Sequence, residues 1–574
     1  MAATTAAAAF GTVNFVVMAL FVAATLAIGV FYGLRGQDAQ GLLISRDMNV
    51  APVSLSMMAT FMSAILIIGT PSEIFYFGMQ WFVVVLTFPV ASIIISVFIL
   101  PVFYRMELTS VYEYLGKRYN TRVMTMVGTV AFMMQNLLYT GIALFAPTIV
   151  LSNVTGMPIW AAIVLVALLG TSYTAFGGYK AVVWADVLQA CVMVCGVTAI
   201  IVQGCINVGG FSEMLDVNRQ HGRLTMFTWD IDPLQRYNFW NTFFGQIFVW
   251  ISLLGVNQPA VQRLLSLPTL KQATLTSLIS SFLIVIMVSL STVSGLAIFA
   301  TYSSCDPLRA GVTSRRDELV PHFVADQLGH VPGLGGLFIA CVLSGALSTI
   351  SSSLNSLAAV TWEDFFRDSA WTARLSEAGR RWVLRGIALV YGIISMLMAF
   401  VAKNMGGVIQ VATGVYGGCT GPILAMFVMG LFMPFTNPKG VTTGLVLGLA
   451  LSLWISFGAS FSGAAPPVML PSSADGCSFN VTITANVTDD AMETREKGTF
   501  DTLYSISYML YAVIGFVATM VTGILVSLLT GGGQGSVDEE YLSPAMSWHS
   551  RKKKFHPSNT NGASNDAYEM GEKH

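Results

Sequence analysis

Charged side chains are scarce in this sequence. Asp, Glu, Lys and Arg make up 10% of the 574 residues, whereas soluble globular domains carry about 25%. Hydrophobic residues make up 54%, and the mean hydropathy is +0.68. This composition excludes a soluble globular protein and predicts a polytopic protein of the lipid bilayer. The net charge of −1 gives no support to nucleic-acid binding.

The residue clusters that metal centres and nucleophilic enzymes require are also lacking. The six histidines fall in predicted loops or in the C-terminal tail, at positions 221, 322, 330, 549, 556 and 574. The seven cysteines are scattered, mostly within apolar stretches, and show no metal-ligand spacing. We therefore expect neither enzyme activity nor a cofactor, and a polytopic membrane enzyme is the weaker alternative.

What the sequence has in abundance is long apolar runs. Runs of about 18 residues or more can cross a bilayer as helices. Thirteen are predicted, near residues 13–34, 49–77, 82–104, 124–152, 158–176, 183–206, 239–257, 274–301, 333–360, 383–402, 408–434, 438–460 and 504–529. The prediction is an all-α polytopic membrane protein with one membrane domain over residues 1–530. The polar residues 531–574 are predicted to form a disordered cytoplasmic tail.

Thirteen spans place the two termini on opposite sides of the membrane. With the C-terminus inside, the cytoplasmic segments carry 20 Lys and Arg residues and the outer segments carry 9. The positive-inside rule therefore predicts an extracellular N-terminus and a cytoplasmic C-terminus. In this orientation the glycosylation sequons at Asn480 and Asn486 lie in an outer loop, as glycosylation requires. Cys305 and Cys477 also lie in outer loops and could pair in a disulfide.

The second span, residues 51–78, is built differently from a simple anchor. Its polar and helix-breaking residues are Ser54, Ser56, Thr60, Ser63, Gly69, Thr70, Pro71 and Glu73. We expect the helix to break at 69–71. A broken span is stable only where it is buried in protein or lines a wet cavity, and transporters hold ions and substrates at such breaks. The span therefore predicts a site, with a Pro-kinked packing helix as the alternative.

Asp186 and Gln189 are the sharpest outliers in the sixth span. A carboxylate in a span costs about 2.5–3.5 kcal/mol on insertion scales, so it needs a cation, a basic partner or water. Residues three apart share a helix face, and the two side chains could present hard oxygens together. The alternative is an interfacial Asp186 that pairs with Lys180 or caps the helix.

Hydroxyl groups crowd the ninth span. Seven polar residues lie within twelve positions, namely Ser344, Ser348, Thr349, Ser351, Ser352, Ser353 and Asn355. Small hydroxylated residues also serve close helix packing, which is the alternative. Because oxygen ligands suit hard cations, we predict a sodium site between this span and the second.

The polar and glycine-rich seventh and eleventh spans suggest a repeated architecture. The second and seventh spans lie five spans apart, and an odd offset inverts orientation. Spans 2–6 and 7–11 are therefore predicted to form two inverted five-helix repeats, with the remaining helices flanking them.

Six stretches of this chain resemble the sodium/solute symporter family, and the resemblance extends from Phe15 to Leu529. The sequence is most similar to the animal branch that holds the iodide, monocarboxylate and multivitamin (biotin and pantothenate) symporters. The stretches are PSEIFYFG (71–78), PVFYRMELTSVYEYLGKRY (101–119), GGYKAVVWADVLQ (177–189), GVNQPAVQR (255–263), PGLGGLFIACVLSGALSTISSSLNSLAAVTWED (332–364) and TGPILAMFVMGLFMP (420–434).

The resemblance implies alternating access and a sodium site between the broken second span and the ninth. The implied sodium ligands are backbone carbonyls near Thr60 and Ser63 and the hydroxyls of Ser348 and Thr349, with Asp186 and Gln189 nearby. The implied substrate contacts are Phe61, Met62, Leu66, Tyr139 and Trp240. Sodium is the only metal expected, as the coupling ion.

Differences from related sequences narrow the range of candidate substrates. The sugar-carrying branch has a Tyr-Trp pair where Leu253 and Leu254 stand here, which disfavours a sugar. Iodide carriers have a glutamine where Leu66 stands, which weakens the case for iodide. The expectation is a plasma-membrane symporter that imports small organic anions with sodium, with monocarboxylates leading. The alternatives are a biotin and pantothenate transporter, an iodide transporter, and a non-transporting sensor or channel on the same scaffold.

Overall fold

The computed structural model describes residues 11–35, 39–329, 331–402, 408–462, 468–477, 500–532 and 537–546. Within these ranges the chain is helical and contains no strand, so the predicted all-α fold is confirmed. The long helices are α1 Thr12–Leu34, α2 Val50–Phe61, α3 Ala64–Phe77, α4 Met79–Arg105, α5 Arg122–Thr155, α6 Ile159–Val208, α7 Phe239–Gly255, α8 Gln258–Leu264, α9 Leu270–Thr301, α10 Leu334–Phe366, α11 Glu377–Ala402, α12 Val408–Phe432, α13 Pro438–Ser462 and α14 Tyr511–Leu529.

Short helices connect these elements. They are Ala39–Leu43, Glu113–Tyr119, Phe211–Gln220, Arg316–Glu318, Leu319–Phe323, Val324–Leu328, Thr372–Arg374, Asp501–Tyr504, Tyr508–Leu510 and Glu539–Tyr541.

In the described part of the chain, 10 helices are long and apolar enough to cross a membrane, and the total reaches 12 when each of two bent helix pairs is one span. The 50-residue helix α6 accounts for a further crossing, because at 1.5 Å per residue it is more than twice as long as the hydrocarbon core is thick. It bends at Gly178, where φ is 67° and ψ is −167°. Only glycine adopts this conformation readily, so Gly178 separates the fifth and sixth predicted spans.

The two bent pairs begin the two repeats. Helices α2 and α3 meet at 58°, and α7 and α8 meet at 53°. The first break lies at Met62 and Ser63, where Ser63 is extended at φ −73° and ψ 166°. The second lies at Val256 and Asn257, just before Pro259 in the first turn of α8, where the missing proline N–H leaves no helical bond unmade.

The break predicted at Gly69-Thr70-Pro71 is wrong by about two turns. Pro71 lies inside the continuous helix α3. Its neighbour α9 packs unusually close, since a Cβ on Gly295 would lie 2.9 Å from the Pro71 Cα atom. A proline is tolerated inside a membrane helix when neighbouring helices enclose the backbone it leaves unpaired.

Helix α10 lies at the centre of the bundle. Its 18-residue apolar window is 89% buried, against 17% for the lipid-facing α1. Glycines let its neighbours approach, because a Cβ on Gly345 would come within 2.8 Å of the Ala64 backbone nitrogen. The hydroxyl-rich face predicted for the ninth span therefore packs directly on the first break.

Two loops that the sequence predicts to be extracellular are joined to one another. Cys305 and Cys477 form a disulfide with their Cα atoms 5.0 Å apart. The same segment pairs through its backbone, because the Leu470 amide donates to the Tyr76 carbonyl at 2.8 Å. The sequons at Asn480 and Asn486 lie outside the described residues.

Residues 537–546, near the start of the predicted tail, contact the membrane domain. The buried Ser543 donates through its amide to the Leu431 carbonyl and through its hydroxyl to the Phe98 carbonyl, both at 3.0 Å. The Tyr114 hydroxyl donates to the Tyr541 carbonyl at 3.0 Å. These bonds attach the start of the tail to the membrane domain.

We predict that Gly178→Ala lowers the thermal unfolding temperature of the purified protein, because the strained conformation costs about 1–3 kcal/mol for a residue with a Cβ. Gly386→Ala is the matched control, since a Cβ there meets nothing within 4 Å and alanine favours a helix interior. Equal unfolding temperatures for Gly178→Ala and the wild type would contradict the account of the bend.

Candidate functional site

Asp186 is fully buried in the second half of α6. One carboxylate oxygen accepts from the Ser348 hydroxyl at 2.6 Å. The other accepts from the Ser56 hydroxyl at 2.6 Å and lies 3.0 Å from the Arg263 guanidinium. Elements of both repeats thus converge on one carboxylate.

Arg263 is the basic partner of Asp186, which the sequence did not reveal. It lies in the last turn of α8, with a side chain only 3% exposed. Its guanidinium also donates to the hydroxyls of Ser56 at 2.8 Å and Ser352 at 2.5 Å, and to the Pro259 carbonyl at 2.9 Å. A buried ion pair is tolerated only when its remaining polar groups are satisfied in this way.

Lys180 does not pair with Asp186. It lies 2.9 Å from the exposed Asp47, and hydrogen bonds from Ser45 and Lys180 lower the pKa of the Asp47 carboxyl below its usual value. The interfacial alternative for Asp186 is therefore wrong. Arg263 was one of the 20 basic residues counted in the predicted cytoplasmic segments, and that assignment was wrong because the half-helix α8 carries it inside the protein.

The predicted sodium ligands gather where α10 crosses the first break. The Thr349 hydroxyl donates to the Thr60 carbonyl at 3.1 Å, one of the last carbonyls of α2, which have no partner within their own helix. The Thr60 hydroxyl lies 3.0 Å from that of Ser352. Backbone carbonyls and serine or threonine hydroxyls thus share one enclosed spot, and this donor set suits a hard cation.

Gln189 lies on the same face of α6 as Asp186, and both atoms of its side-chain amide are buried without a hydrogen-bond partner in the described part of the chain. An unsatisfied buried amide costs free energy. That Gln189 contributes an oxygen to the ion site stays a prediction, and the Ser63 hydroxyl contacts Tyr139.

Next to this spot lies a cavity of about 100 Å³. The first break, α4, α5, α7, α10 and α12 all contribute to its walls. Its polar lining residues are Thr60, Ser63, Asn136, Tyr139, Gln246, Asn257, Thr349, Ser353, Thr413 and Tyr416, and its aromatic ones include Phe61, Trp81, Phe88 and Trp250. None of the described lining residues is charged. Pockets of this apolar kind with a few convergent polar groups are the usual small-molecule sites.

Ser63 connects the cavity to the candidate ion-binding spot. The Tyr139 hydroxyl donates to the Ser63 hydroxyl at 3.2 Å, and the Tyr139 ring packs on that of Tyr416 at 4.5 Å between centroids. Ser63 is itself the extended residue of the break. A change in backbone geometry at the break therefore reaches the cavity wall directly.

Three of the five predicted substrate contacts line the cavity, namely Phe61, Leu66 and Tyr139. Met62 and Trp240 do not. Met62 is buried at the break. Trp240 lies in the first turn of α7, where its indole donates to the Trp229 carbonyl at 3.1 Å among other outer aromatic rings.

The tryptophan of α7 that lines the cavity is Trp250, whereas the sequence analysis named Trp240. It lies about three turns further along α7, packs edge-on against Phe88 with centroids 4.5 Å apart, and lines the cavity. Both tryptophans lie in the apolar run of α7, and only the position of the helix along the membrane normal decides which of them lies level with the cavity.

The sequence signal that could have identified Arg263 was clearer, because a lone arginine in an apolar run next to a broken span needs a buried partner.

A second buried ion pair lies at the end of the bundle that the sequence predicts to be extracellular. The Arg236 guanidinium lies 2.8 Å from the Glu73 carboxylate, which also accepts from the Tyr237 hydroxyl at 2.6 Å. Burial by itself would lower the pKa of Arg236, but the Glu73 carboxylate and the neighbouring tyrosines raise it well above its usual value. Arg236 precedes α7 and Glu73 lies in α3, so this pair joins the two broken spans.

Comparison with known proteins gives the same architecture. The model of the Sodium:solute symporter family matches residues 42–448. The chain is 38% identical over 582 residues to sodium-coupled monocarboxylate transporter 1 of Homo sapiens, across 97% of this chain and 95% of that protein. It is 40% identical over 540 residues to the sodium-dependent multivitamin transporter of Oryctolagus cuniculus, across 92% of this chain and 84% of that protein.

Among solved structures, the substrate-bound outward-open state of a Na⁺-coupled sialic acid symporter aligns with a TM-score of 0.73. The alignment covers 91% of this chain and 98% of that chain, at 22% identity. This likeness confirms the predicted fold, including its repeats.

We predict that Arg263→Met strongly lowers the unfolding temperature, because an unpaired buried carboxylate costs about 3–5 kcal/mol. Asp186→Asn combined with Arg263→Met should recover part of that loss. The control is Arg46→Met, which removes the exposed pair with Glu107 and should cost at most about 1 kcal/mol. An Arg263→Met protein as stable as Arg46→Met would show that the buried pair does not support the fold.

Proposed function

This chain belongs to the sodium:solute symporter family, and from that membership we propose that it imports a small monocarboxylate together with Na⁺. The proposal rests on the break at residues 60–63, which contributes to both the candidate ion-binding spot and the cavity wall. The Thr60 carbonyl faces Thr349 at the ion-binding spot, and Ser63 contacts Tyr139 in the cavity wall. Ion and substrate would therefore act on the same short stretch of backbone.

Sodium would bind between the break and α10. Its proposed ligands are backbone carbonyls near Thr60 and Ser63 and the hydroxyls of Ser348 and Thr349, with Asp186 and Gln189 adjacent. A hydroxyl that now donates to a carbonyl or carboxylate still has oxygen lone pairs for a cation. The enclosed position favours such contacts, because the surroundings screen charge less than water does.

Coupling follows from linkage. If Na⁺ holds the break in the shape that binds substrate, then substrate must strengthen Na⁺ binding by the same factor. Movement of each charge across a potential of 100 mV contributes about 2.3 kcal/mol. Together with an inward sodium gradient, this drives accumulation of substrate through alternating access.

A small carboxylate fits the cavity in size and chemistry. The volume of about 100 Å³ is below the range of about 300–1,000 Å³ typical of drug-sized ligands. With no cation among the described lining residues, the carboxylate would rely on bound Na⁺ and on neutral donors. One such donor is Trp250, which lines the cavity and whose buried indole N–H has no hydrogen-bond partner in the described structure.

Biotin or pantothenate is the second candidate, favoured by the 40% identity to the multivitamin transporter. Iodide is the third, and Leu66 weighs against it, since this apolar side chain lines the cavity. A non-transporting sensor or channel on the same scaffold is the alternative from another class, and transport rather than catalysis is the activity proposed.

The proposed location is the plasma membrane, with the N-terminus outside and the C-terminus in the cytoplasm. The Cys305–Cys477 disulfide supports an oxidising outer side for those loops. The excess of basic residues on the opposite side supports the same orientation. Asn480 and Asn486 are the proposed glycosylation sites in the outer loop.

We predict that Ser348→Ala with Thr349→Ala raises the half-saturating Na⁺ concentration for uptake about thirtyfold, since each of the two neutral hydroxyl contacts contributes about 1 kcal/mol. Ser344→Ala is the control, because this hydroxyl, one turn earlier in α10, donates to the Ala340 carbonyl of its own helix. An unchanged sodium dependence in the double variant would remove both hydroxyls from the ion site.

We predict that cells expressing the protein take up lactate, butyrate or nicotinate in a sodium-dependent manner and in preference to biotin, pantothenate and iodide. Tracer uptake and membrane current should be recorded together on the same cells. Uptake of the vitamins alone would make the multivitamin alternative correct. Current without uptake of any of the six compounds would favour the channel or sensor.

A further inference from the structure

Gln246 is a polar side chain of the substrate cavity that the proposed function does not yet use. It lies in α7, one turn before Trp250, and both residues line the cavity. Residues four apart share one helix face, and their Cβ atoms are about 5–6 Å apart. A single small molecule in the cavity can therefore reach both side chains.

The amide of Gln246 has an unusual hydrogen-bond partner. Its Nε2 atom donates to the Met509 sulfur at 3.0 Å, and both residues are buried. A thioether sulfur is a weak acceptor, whereas hydroxyl and carboxylate oxygens are strong ones. A substrate oxygen would therefore be a better partner for this amide than the sulfur that it contacts in the structure.

Met509 belongs to a segment that lies outside the two repeats. It is part of the short helix Tyr508–Leu510, which precedes α14. The backbone of this helix packs tightly on α7, because a Cβ on Gly245 would collide with the Met509 carbonyl oxygen. On the other side, the Tyr508 hydroxyl lies 2.6 Å from the hydroxyl of Tyr237. The sulfur is therefore held at the cavity wall by contacts that do not involve a substrate.

The other amide side chains of the cavity are bonded to oxygen. Asn257 donates to the Tyr416 hydroxyl at 3.3 Å, and Asn136 donates to the Ser353 carbonyl at 3.4 Å. Among the described residues that line the cavity, Gln246 is the amide that donates to sulfur. It therefore has the most to gain from a substrate oxygen.

We propose that Gln246 selects among monocarboxylates by donating a hydrogen bond to a neutral oxygen next to the carboxylate, such as the hydroxyl of lactate. This inference rests on the proposed function, in which the Trp250 indole is a donor to the carboxylate. When such a substrate binds, the Gln246 amide leaves the Met509 sulfur for the substrate oxygen. An acid without that oxygen leaves the amide on the sulfur and binds less tightly.

The contact with Met509 also sets the size of the preference. A site that hydrogen-bonds a substrate hydroxyl strongly rejects an analogue without it when the group of the site is then left unpaired. Here the sulfur keeps the Gln246 amide paired in the absence of that hydroxyl. The cavity should therefore accept both kinds of acid, with a preference of about fivefold, the effect of one neutral hydrogen bond.

The test is competitive uptake of labelled lactate and propionate, which differ only in that hydroxyl, by cells that express the full-length protein. The ratio of the two uptake efficiencies is measured in sodium, and uptake in choline is subtracted. The wild type should favour lactate about fivefold. Gln246→Met keeps the size of the side chain but removes the donor, so the ratio should fall close to one. Met509→Leu removes the sulfur acceptor, so propionate leaves the amide unpaired and the ratio should rise above that of the wild type.

Gln203→Met and Met520→Leu are the matched controls, because they make the same chemical changes away from the cavity. The Gln203 amide donates to the Asn207 side chain at 2.8 Å near the end of α6. Met520 lies in α14 and is not among the residues that line the cavity. Both control variants should keep the wild-type ratio.

The ratio separates selection from a structural role, since a general loss of folded protein lowers the uptake of both acids equally. An unchanged ratio in Gln246→Met would overturn the proposal. If that variant does not fold, a Met509→Leu ratio equal to or below that of the wild type would overturn it.

The failure of this inference is distinguishable from the failure of the proposed function. Sodium-dependent uptake of both acids, at the same ratio in the wild type and in the cavity variants, would overturn the role of Gln246 alone. Sodium-dependent uptake of neither acid by the wild type would overturn the proposed function and this inference together.

Discussion

A single buried carboxylate imposes the arrangement of this protein's centre. Asp186 cannot be ionised in the bilayer interior without compensation, and the chain supplies that compensation from three other helices. Arg263 comes from α8, Ser56 from α2 and Ser348 from α10. Because α2 and α8 belong to different repeats, the charge can be satisfied only when both repeats are correctly packed on α10. The position of the ion-binding spot and of the adjacent cavity follows from that packing.

In the proposed function, the two breaks couple the ion to the substrate. At the first break, helix-end carbonyls face the hydroxyls of α10 on one side, and Ser63 contacts the substrate cavity on the other. At the second break, α7 contributes Trp250 to the cavity while α8 carries Arg263 to the carboxylate. The outer halves are joined separately by Glu73 and Arg236. The proposed ion site and the Glu73–Arg236 pair thus both involve the same two broken spans.

The features that depend on composition and local residue pattern could be predicted from the sequence. The features that depend on the position of a helix across the membrane, or on close packing between helices, could not. The apolar runs, the charge at Asp186 and the hydroxyls of Ser348 and Thr349 were visible because such residues are costly or unusual inside a membrane. The position of the first break was not visible in the sequence, because the extended Ser63 is held by the close approach of α10 at Gly345. Pro71 was taken as the break because proline usually interrupts a helix. Trp240 was preferred to Trp250 because both fit the apolar run of α7. Arg263 was assigned to a loop because a half-helix of seven residues is too short for a span search to find.

The central claim is that a sodium gradient drives a small monocarboxylate through this protein, and reconstitution tests it most directly. Purified protein in sealed proteoliposomes should accumulate labelled lactate above its external concentration when Na⁺ is imposed outside, and a potential negative inside should increase that accumulation. Replacing Na⁺ with choline should reduce uptake to the level of protein-free vesicles. Equal accumulation in sodium and choline would contradict the account, whatever the substrate proved to be.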